Sequence, residues 1–330
     1  MKVFVIGYGS IGKRHIKILK QLTPDCEICV IRHKKQVIEN NFDTNGDLSL
    51  IKKIYYNLDV AILDGLPSFA IICSPSSFHL KTAFILANNN VDMLIEKPIS
   101  NKIKDVKKLL ELCERRNVKL EVGYMLRYAK SIKKIKSWLD NKFIGNICSV
   151  NVHFGDYLQN WRKSYDYSKD VSARKDLGGG VLLEISHEID YLCWFFGKPV
   201  SVFCQMMKTS NLKIDVEDLV EAIIKFNYQN RIILCSLHLD MFDKNNKRSC
   251  NIIGTNGSIT WDGLNYCANL QTAEICETEK DVDRNSLFNT ELEFFINNNS
   301  KMIVNNGYLT LQVIEAMRLS NEENRMIELP

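Results

Sequence analysis

The sequence predicts two domains: an α/β domain with a parallel sheet, followed by an α+β domain built on a large, mainly antiparallel sheet. Three observations support this. Apolar strands alternate with amphipathic helices through about residue 123, a glycine-rich turn follows the first strand, and long β-rich runs dominate the remainder. A chain of 330 residues also exceeds what one hydrophobic core usually supports. We expect the domains to cover residues 1–122 and 123–330.

The first domain is predicted to alternate strands with helices. Apolar runs predict strands at residues 3–6, 27–31, 69–73, 93–95 and 120–123. Apolar positions at helical spacing predict helices at residues 11–22 and 80–88, and Ser100 is placed to cap a third helix that begins just after it. This alternation is typical of a parallel sheet covered by helices.

The second domain is predicted to be rich in β-structure. Long runs at residues 147–154, 200–207, 219–226 and 231–239 predict strands, with few helices between them. Residues 180–196 and 307–320 are the exceptions, because their patterns predict helices.

Composition and charge exclude several classes of protein. Hydrophobic residues make up 45% of the chain and charged residues 25%, which is close to the soluble average and argues against disorder. A net charge of +4, spread along the chain, is too weak to indicate a nucleic-acid partner. The first residues resemble neither a signal peptide nor a membrane span, so we expect a cytoplasmic protein without a membrane partner.

The eleven cysteines are expected to be reduced thiols rather than disulfides or metal ligands. Cys26 and Cys29 have metal-like spacing, but they lie in a predicted strand and no second pair follows at zinc-ribbon distance. The sequence therefore predicts no metal site.

The stretch GYGSIGKRH, which follows the first strand, carries the G-x-G-x-x-G pattern at Gly7, Gly9 and Gly12. In this pattern the first glycine makes a tight turn, the second lets the backbone approach a pyrophosphate, and the third lets the helix pack on the strand. A helix that begins at Ser10 and Ile11 would direct its N–H groups at the phosphates. The strand, turn and helix together predict a Rossmann dinucleotide site.

The second strand ends in a basic run rather than in the acid that usually binds the ribose hydroxyls of NAD. This run contains Arg32 and His33, followed by Lys34 and Lys35. Cations suit a ribose 2′-phosphate, so NADP(H) is favoured as cofactor and NAD(H) remains possible. The alternative is a solvated basic turn without a ligand.

Two further motifs make the chain recognisable. Residues 95–98 are Ile-Glu-Lys-Pro, and residues 178–197 read GGGVLLEISHEIDYLCWFFG. Together with the glycine turn, the segment SPSSFH at 74–79, Gly123 to Arg127 and IGTNGSI at 253–259, they resemble the glucose-fructose oxidoreductase, inositol dehydrogenase and rhizopine-catabolism (Gfo/Idh/MocA) family. The resemblance covers nearly the whole chain.

The resemblance implies an NAD(P)-dependent enzyme that oxidises a hydroxyl of a sugar, amino sugar, sugar nucleotide or cyclitol, or reduces the corresponding ketone. It places Lys97 beside the nicotinamide and substrate, and it makes His187 the group that exchanges the hydroxyl proton. Many members carry an Asp four residues before this histidine. Here the nearest acid is Glu184, three residues before it, which is a departure from the pattern.

The residue types fit this chemistry on their own. Hydride transfer from a carbinol requires removal of its proton, and histidine titrates near neutrality. On one continuous helix Glu184, His187 and Asp190 would share a face, so the carboxylates could orient the imidazole. A satisfied surface histidine and a solvated Lys97 are the alternatives.

Other positions complete the predicted site. We expect Ser74, Pro75, His79 and Glu96 near the cofactor, with a purely structural function as the alternative for His79. Tyr124, Arg127, Trp161 and Arg162 are predicted to contact a sugar-like substrate, because aromatic and arginine side chains suit its apolar face and its hydroxyl or phosphate groups. The alternative is that the aromatic loop covers the cleft or lies at a subunit contact.

Two other functions are compatible with the fold. A catalytically silent, dinucleotide-dependent sensor would keep the glycine turn, but the presence of both Lys97 and His187 favours an enzyme. An unrelated Rossmann enzyme, such as an amino-acid dehydrogenase, would not explain the two later motifs. A broad antiparallel sheet with one uncovered face also predicts a homodimer or homotetramer that assembles through the second domain.

Overall fold

The protein is described by a computed structural model that covers residues 1–32, 47–161, 166–298 and 307–329. The chain divides into two compact units. The first unit contains Met1–Tyr124 and Phe288–Tyr308, and the second contains Met125–Leu287 and Leu309–Pro330. His33, Lys34, Lys35, Arg162 and Tyr165 lie outside the described residues.

The first unit is built on a six-stranded sheet, as the alternating pattern predicts. Its strands are β1 (Lys2–Ile6), β2 (Glu27–Ile31), β3 (Lys53–Tyr55), β4 (Phe69–Ile72), β5 (Asp92–Glu96) and β6 (Leu120–Gly123). Its helices are α1 (Ser10–Leu22), α2 (Leu58–Leu63), α3 (His79–Asn88) and α4 (Val106–Arg116). All strand pairs are parallel, in the order β3-β2-β1-β4-β5-β6. The strand order therefore reverses between β1 and β4, where the carboxyl ends of the strands form a crevice suited to a ligand.

The second unit holds a nine-stranded sheet in the order β14-β13-β12-β11-β7-β10-β9-β8-β15. Its strands are β7 (Ile147–Gly155), β8 (Pro199–Met207), β9 (Leu219–Tyr228), β10 (Arg231–Asp240), β11 (Lys247–Gly254), β12 (Gly257–Asp262), β13 (Cys267–Thr272), β14 (Cys276–Lys280) and β15 (Ile327–Glu328). Neighbouring strands are antiparallel except for the parallel pair of β7 and β10. The prediction of a mainly antiparallel sheet is confirmed.

Helices cover one face of this sheet. They include α5 (Lys130–Asp140), α6 (Val181–Glu184) and α7 (His187–Phe196), and the chain continues through α8 (Arg284–Asn297) and α9 (Gly307–Glu323). The covered face is packed with aromatic rings, for example Tyr191 against Trp261 with centroids 5.7 Å apart and Phe196 against Phe226 at 5.5 Å. The opposite face leaves Ile223, Ile232, Leu234 and Ile253 between 39% and 58% exposed.

The predicted helix over residues 180–196 is divided in the structure. It consists of α6 and α7, which are separated by a turn at Ile185 and Ser186. Glu184 and His187 therefore lie on two successive helices, and the regular spacing of one helix does not relate their side chains. Within the described residues no helix is both long and apolar enough to cross a membrane.

Most of α8 belongs to the first unit, although the sequence pattern predicts a second domain over residues 123–330. The Phe295 ring packs edge-on against Phe69 with centroids 5.4 Å apart, and Phe288 packs in the same way against His15 at 5.8 Å. The buried Lys119 ammonium donates to the carbonyls of Phe295 (2.5 Å) and Asn298 (2.8 Å), so a cation caps the carboxyl end of α8. These contacts join residues far apart in sequence, which local patterns do not predict.

Replacing Phe295 by alanine tests this packing. Phe295 is fully buried, so its truncation is expected to lower the free energy of unfolding of the first unit by about 3–5 kcal/mol. The neighbouring Phe294 is 40% exposed, and Phe294→Ala is expected to cost less than about 1 kcal/mol. Urea denaturation measures both variants, and equal losses would contradict the docking of α8 described above.

Candidate functional site

The glycine turn lies between β1 and α1, at the carboxyl edge of the first sheet. Gly7 has φ +108°, and its N–H donates to the Ile31 carbonyl at 2.9 Å. A Cβ at Gly7 would lie 2.6 Å from the Cys73 backbone, and a Cβ at Gly12 would lie 2.3 Å from the Gly7 carbonyl oxygen. Both positions therefore require glycine, because the backbone segments touch there.

Gly9 differs from the other two glycines. Within the described chain, no atom lies within 4 Å of a Cβ built at Gly9. Gly9 is also the N-cap of α1, and no described side chain caps this helix end. Ser10 and Ile11 form its first turn, so their N–H groups lie at the positive end of α1. The turn is packed on one side and open on the other, which fits a pyrophosphate approaching the backbone.

Arg32 follows β2 at the same edge of the sheet. Its N–H donates to the Tyr55 carbonyl at 2.8 Å, and its guanidinium lies 5.4 Å from the centroid of the Tyr8 ring. The Lys13 ammonium lies 5.3 Å from the same centroid. Two cations thus flank one aromatic ring of the glycine turn.

His79 joins the segments that follow β4 and β5. Its Nε2 lies 2.7 Å from the carbonyl oxygen of Ser74 and its Nδ1 2.9 Å from that of Pro98. Burial lowers the pKa of His79, and hydrogen bonds to the two carbonyls only partly oppose this effect. Ser74 is buried and Pro75 is partly exposed. His79 thus holds two loops together, which agrees with the structural alternative for this residue.

Glu96 and Lys97 follow one another at the carboxyl end of β5. The Glu96 Oε1 atom lies 2.7 Å from Nε2 of His15, and both residues are buried. Burial opposes ionisation of Glu96, but the hydrogen bond and charge of His15 outweigh it, so the pKa of Glu96 lies below its ordinary value. Lys97 is partly exposed, and its peptide bond to Pro98 is cis. Glu96 is therefore a fixed internal residue, whereas Lys97, the next residue, is partly exposed.

His187 is the first residue of α7 and is 9% exposed. Glu184, which is partly exposed, ends α6. Orientation of the imidazole by Asp190 stays a prediction, and the contacts that the structure gives for this carboxylate are with other residues. The Asp190 carboxylate instead accepts hydrogen bonds from Arg127 Nε (2.8 Å), Arg127 Nη2 (2.9 Å) and Thr310 Oγ1 (3.1 Å).

The pairing of Asp190 with Arg127 has a simple physical basis. A guanidinium presents two parallel N–H groups that match the two oxygens of a carboxylate. The imidazole of His187, the partner expected from the sequence, does not offer this bidentate fit. Burial raises the pKa of Asp190, and the Arg127 charge opposes that rise. Arg127 also lies 5.7 Å from the ring centroid of Trp194. The Arg127 guanidinium thus contacts Asp190 and Trp194 within the protein. Its contact with a substrate stays a prediction.

The remaining predicted substrate contacts are only partly placed by the structure. Tyr124 is fully buried in the first unit, so its ring is not accessible to a ligand from solvent. Trp161 is partly exposed and ends a described segment, and Arg162 lies beyond it. The sequence did not predict two side-chain pairs of the candidate site, His15 with Glu96 and Arg127 with Asp190. Their members are 81 and 63 residues apart, so no local pattern relates them.

The chain matches two models of one protein family. Residues 1–124 match the oxidoreductase family with an NAD-binding Rossmann fold, and residues 132–260 match the GFO/IDH/MocA C-terminal domain. A glucose-6-phosphate 3-dehydrogenase of Bacillus subtilis is 27% identical over 225 residues, which are 67% of this chain and 61% of that relative. The alignment thus spans less than two thirds of the relative's length.

Solved structures share the fold. A levoglucosan dehydrogenase in complex with NADH and levoglucosan superposes with a TM-score of 0.84 at 16% identity, covering 100% of this chain and 99% of the other. The WlbA dehydrogenase of Bordetella pertussis, in complex with NADH and UDP-GlcNAcA, gives a TM-score of 0.81 at 18% identity with the same coverage.

The two models together span more than half of the chain, and they match the segments that contain the glycine turn, Lys97 and His187. The chain therefore belongs to the Gfo/Idh/MocA oxidoreductase family.

Proposed function

We propose that this protein is an NAD(P)-dependent oxidoreductase that transfers a hydride between the nicotinamide and a hydroxyl or ketone of a sugar-like substrate. The glycine turn is the observation that carries the proposal: Gly7 and Gly12 are tightly packed, while the space at Gly9 is open. Lys97 follows β5 in the same sheet, at the edge where ligands of such sheets bind.

The residues of the first unit fit a dinucleotide. The backbone of Gly9, Ser10, Ile11 and Gly12 would hold the pyrophosphate at the positive end of α1. Ser74 and Pro75 would line the next part of the crevice. His79 and Glu96 would act indirectly, His79 by holding the two loops together and Glu96 by fixing the segment that carries Lys97. A bound nicotinamide would supply the hydride acceptor or donor.

Lys97 and His187 are the proposed catalytic residues, following the motifs that they occupy. A lysine ammonium can donate a hydrogen bond to a carbinol or carbonyl oxygen, which stabilises the charge that develops on it. An imidazole can take the hydroxyl proton as the hydride leaves, or return it in the reverse reaction. Asp190 supports α7 through Arg127 rather than by touching substrate, and Glu184 stays a candidate contact.

The substrate class follows from relatives. One relative is named for glucose 6-phosphate, and two solved neighbours contain levoglucosan and UDP-GlcNAcA. We propose a sugar, amino sugar, sugar nucleotide or cyclitol, with Trp161 against its apolar face and Arg162 available for a phosphate or hydroxyl. A panel of these compounds with either nucleotide would identify the substrate.

We propose NADP(H) as the preferred cofactor. Arg32 stands where an acid would favour NAD, and Lys13 adds a second cation near Tyr8. The two solved neighbours contain NADH. The proposed preference for NADP(H) therefore rests on the basic residues of this chain and not on these neighbours. His33 is proposed to add to the positive field.

We also propose that the second unit assembles the protein into a homodimer or homotetramer. Ile223, Ile232, Leu234 and Ile253 are exposed on one face of the nine-stranded sheet. An apolar sheet face of this kind is commonly covered by a second copy of itself, because a two-fold contact uses the same patch twice.

Catalysis is tested with Lys97→Ala and His187→Asn. Each is expected to lower kcat by about 100-fold or more, because general acid–base or electrostatic help is lost, while nucleotide binding is largely retained. Lys104→Ala, a substitution of an exposed lysine beyond the same strand, is the control and should keep full activity. Turnover is followed by the absorbance of the reduced nucleotide. Near-normal turnover in either test variant would remove that residue from the mechanism.

Cofactor choice is tested by titrating nucleotide-free protein with NADPH and NADH in a calorimeter. A charge-assisted contact contributes about 1.5–3 kcal/mol, so NADPH is expected to bind roughly 10- to 100-fold more tightly. Arg32→Asp should reverse or abolish this preference, whereas Arg116→Asp, at the end of α4, should leave it unchanged. Equal affinities in the unmodified protein would refute the proposal.

Assembly is tested with Leu234→Glu. The side chain is 51% exposed on β10, and a charge there should convert the oligomer into a smaller particle in light scattering, since a buried carboxylate is costly. Leu63→Glu, at an 87% exposed position of the first unit, is the matched control and should not change the mass. A monomer mass for the unmodified protein at micromolar concentration contradicts the proposal.

A further inference from the structure

A cluster of histidine and carboxylate side chains lies on the nine-stranded sheet, apart from the residues assigned above. The strand register places Glu221 on β9, His238 on β10 and His153 on β7 side by side. Asp240 follows His238 by two residues, so its side chain points to the same face of the sheet. The two histidines are 85 positions apart in the sequence, and the pairing of their strands brings them together.

The ligand atoms of His153, His238 and Asp240 are close to one another. One ring nitrogen of each histidine and one carboxylate oxygen of Asp240 lie within 4.8 Å of each other. Two ligands of one zinc ion, each about 2.0–2.1 Å from it, lie no more than roughly 4 Å apart. The imidazoles of His153 and His238 are stacked with centroids 4.4 Å apart.

The neighbouring groups already orient two of these side chains. His238 Nδ1 lies 2.5 Å from Glu221 Oε1, and its Nε2 lies 3.0 Å from Asp240 Oδ2. The other oxygen of Asp240 accepts hydrogen bonds from the N–H groups of Phe242 (2.8 Å) and Asp243 (2.7 Å). A carboxylate that holds the outer nitrogen of a histidine is the usual arrangement behind a histidine metal ligand.

His153 distinguishes this cluster from a simple ion-pair network. Its Nε2 atom is buried, and within the described residues it has no hydrogen-bond partner. A protonated His238 between two carboxylates would explain the contacts of His238, but it leaves the buried nitrogen of His153 unexplained.

Negative charge also converges on this position. Gly155 has no side chain, and a Cβ there would lie 2.5 Å from Asp240 Oδ2 and 3.1 Å from Asp243 Oδ2. The adjacent Asp156 has a buried oxygen without a hydrogen-bond partner in the described chain. A bound dication would compensate this crowding of carboxylates.

We propose that His153, His238 and Asp240 bind a divalent transition-metal ion, with Zn²⁺ the best fit, and that Glu221 orients His238 from behind. Two imidazoles with one carboxylate favour zinc over Mg²⁺ or Ca²⁺, which prefer oxygen ligands. Three protein ligands leave the fourth position for water or another small ligand. The ion would link β7 to β10, the parallel pair of the sheet.

The test is calorimetric titration of untagged, chelator-treated, full-length protein with ZnCl₂ at neutral pH. We expect one ion per chain at this site, an increase of Tm with added zinc, and no comparable effect of MgCl₂. His153→Gln should weaken binding by more than about 100-fold, and Glu221→Gln, which removes only the orienting carboxylate, by about 10- to 100-fold.

Two controls separate this site from other metal-binding groups. Asn151→Gln, two residues before His153 on the same face of β7, and the exposed Glu274→Gln should bind zinc like the unmodified protein. Loading with Co²⁺ should give a d–d spectrum without a thiolate charge-transfer band, and this spectrum should be lost in His153→Gln. Absence of zinc binding, unchanged affinity in both His153→Gln and Glu221→Gln, or a thiolate band that persists in His153→Gln would overturn the proposal.

Discussion

The buried pair of His15 and Glu96 is the interaction on which the first unit depends. His15 lies on the helix that follows the glycine turn, and Glu96 is the last residue of the strand that leads to Lys97. Their 2.7 Å contact therefore ties the dinucleotide turn to the catalytic candidate. Phe288 of α8 packs against the His15 ring, so α8 contacts the same buried pair. Removal of either member would leave a buried polar or charged group unpaired, which costs more than the pair contributes when intact.

In the second unit a buried carboxylate likewise joins segments that are distant in sequence. Asp190 lies on the first turn of α7, three residues after His187, and is held by Arg127 and Thr310. Three segments distant in sequence thus meet at one carboxylate, and His187 is carried by a helix that cannot rotate without breaking this contact. A functional residue held by a rigid, hydrogen-bonded support is placed more accurately than one on an exposed loop.

The structure departs from the local sequence pattern at several positions. Sequence spacing treats residues 180–196 as one helix, but the turn at Ile185 and Ser186 divides it into α6, which ends at Glu184, and α7, which carries His187 and Asp190. Asp190 pairs with the guanidinium of Arg127, which is 63 residues away in the sequence and donates two hydrogen bonds to it. Tyr124 follows a strand at a position where we expected a substrate contact, and it is completely buried. At Asp190 a long-range partner outweighed the local pattern.

The sequence by itself determined the class of each domain, the glycine turn and the family motifs, because strand and helix periodicity and the steric demands of Gly7 and Gly12 are local properties. It also indicated Lys97 and His187, which occupy motif positions. Only the tertiary structure decided that α8 belongs to the first unit, that Glu96 pairs with His15, and that Asp190 pairs with Arg127. The same holds for His153 and His238, which become neighbours through the register of β7 and β10. Such contacts depend on which distant surfaces are buried against each other, and no spacing along the chain encodes that directly.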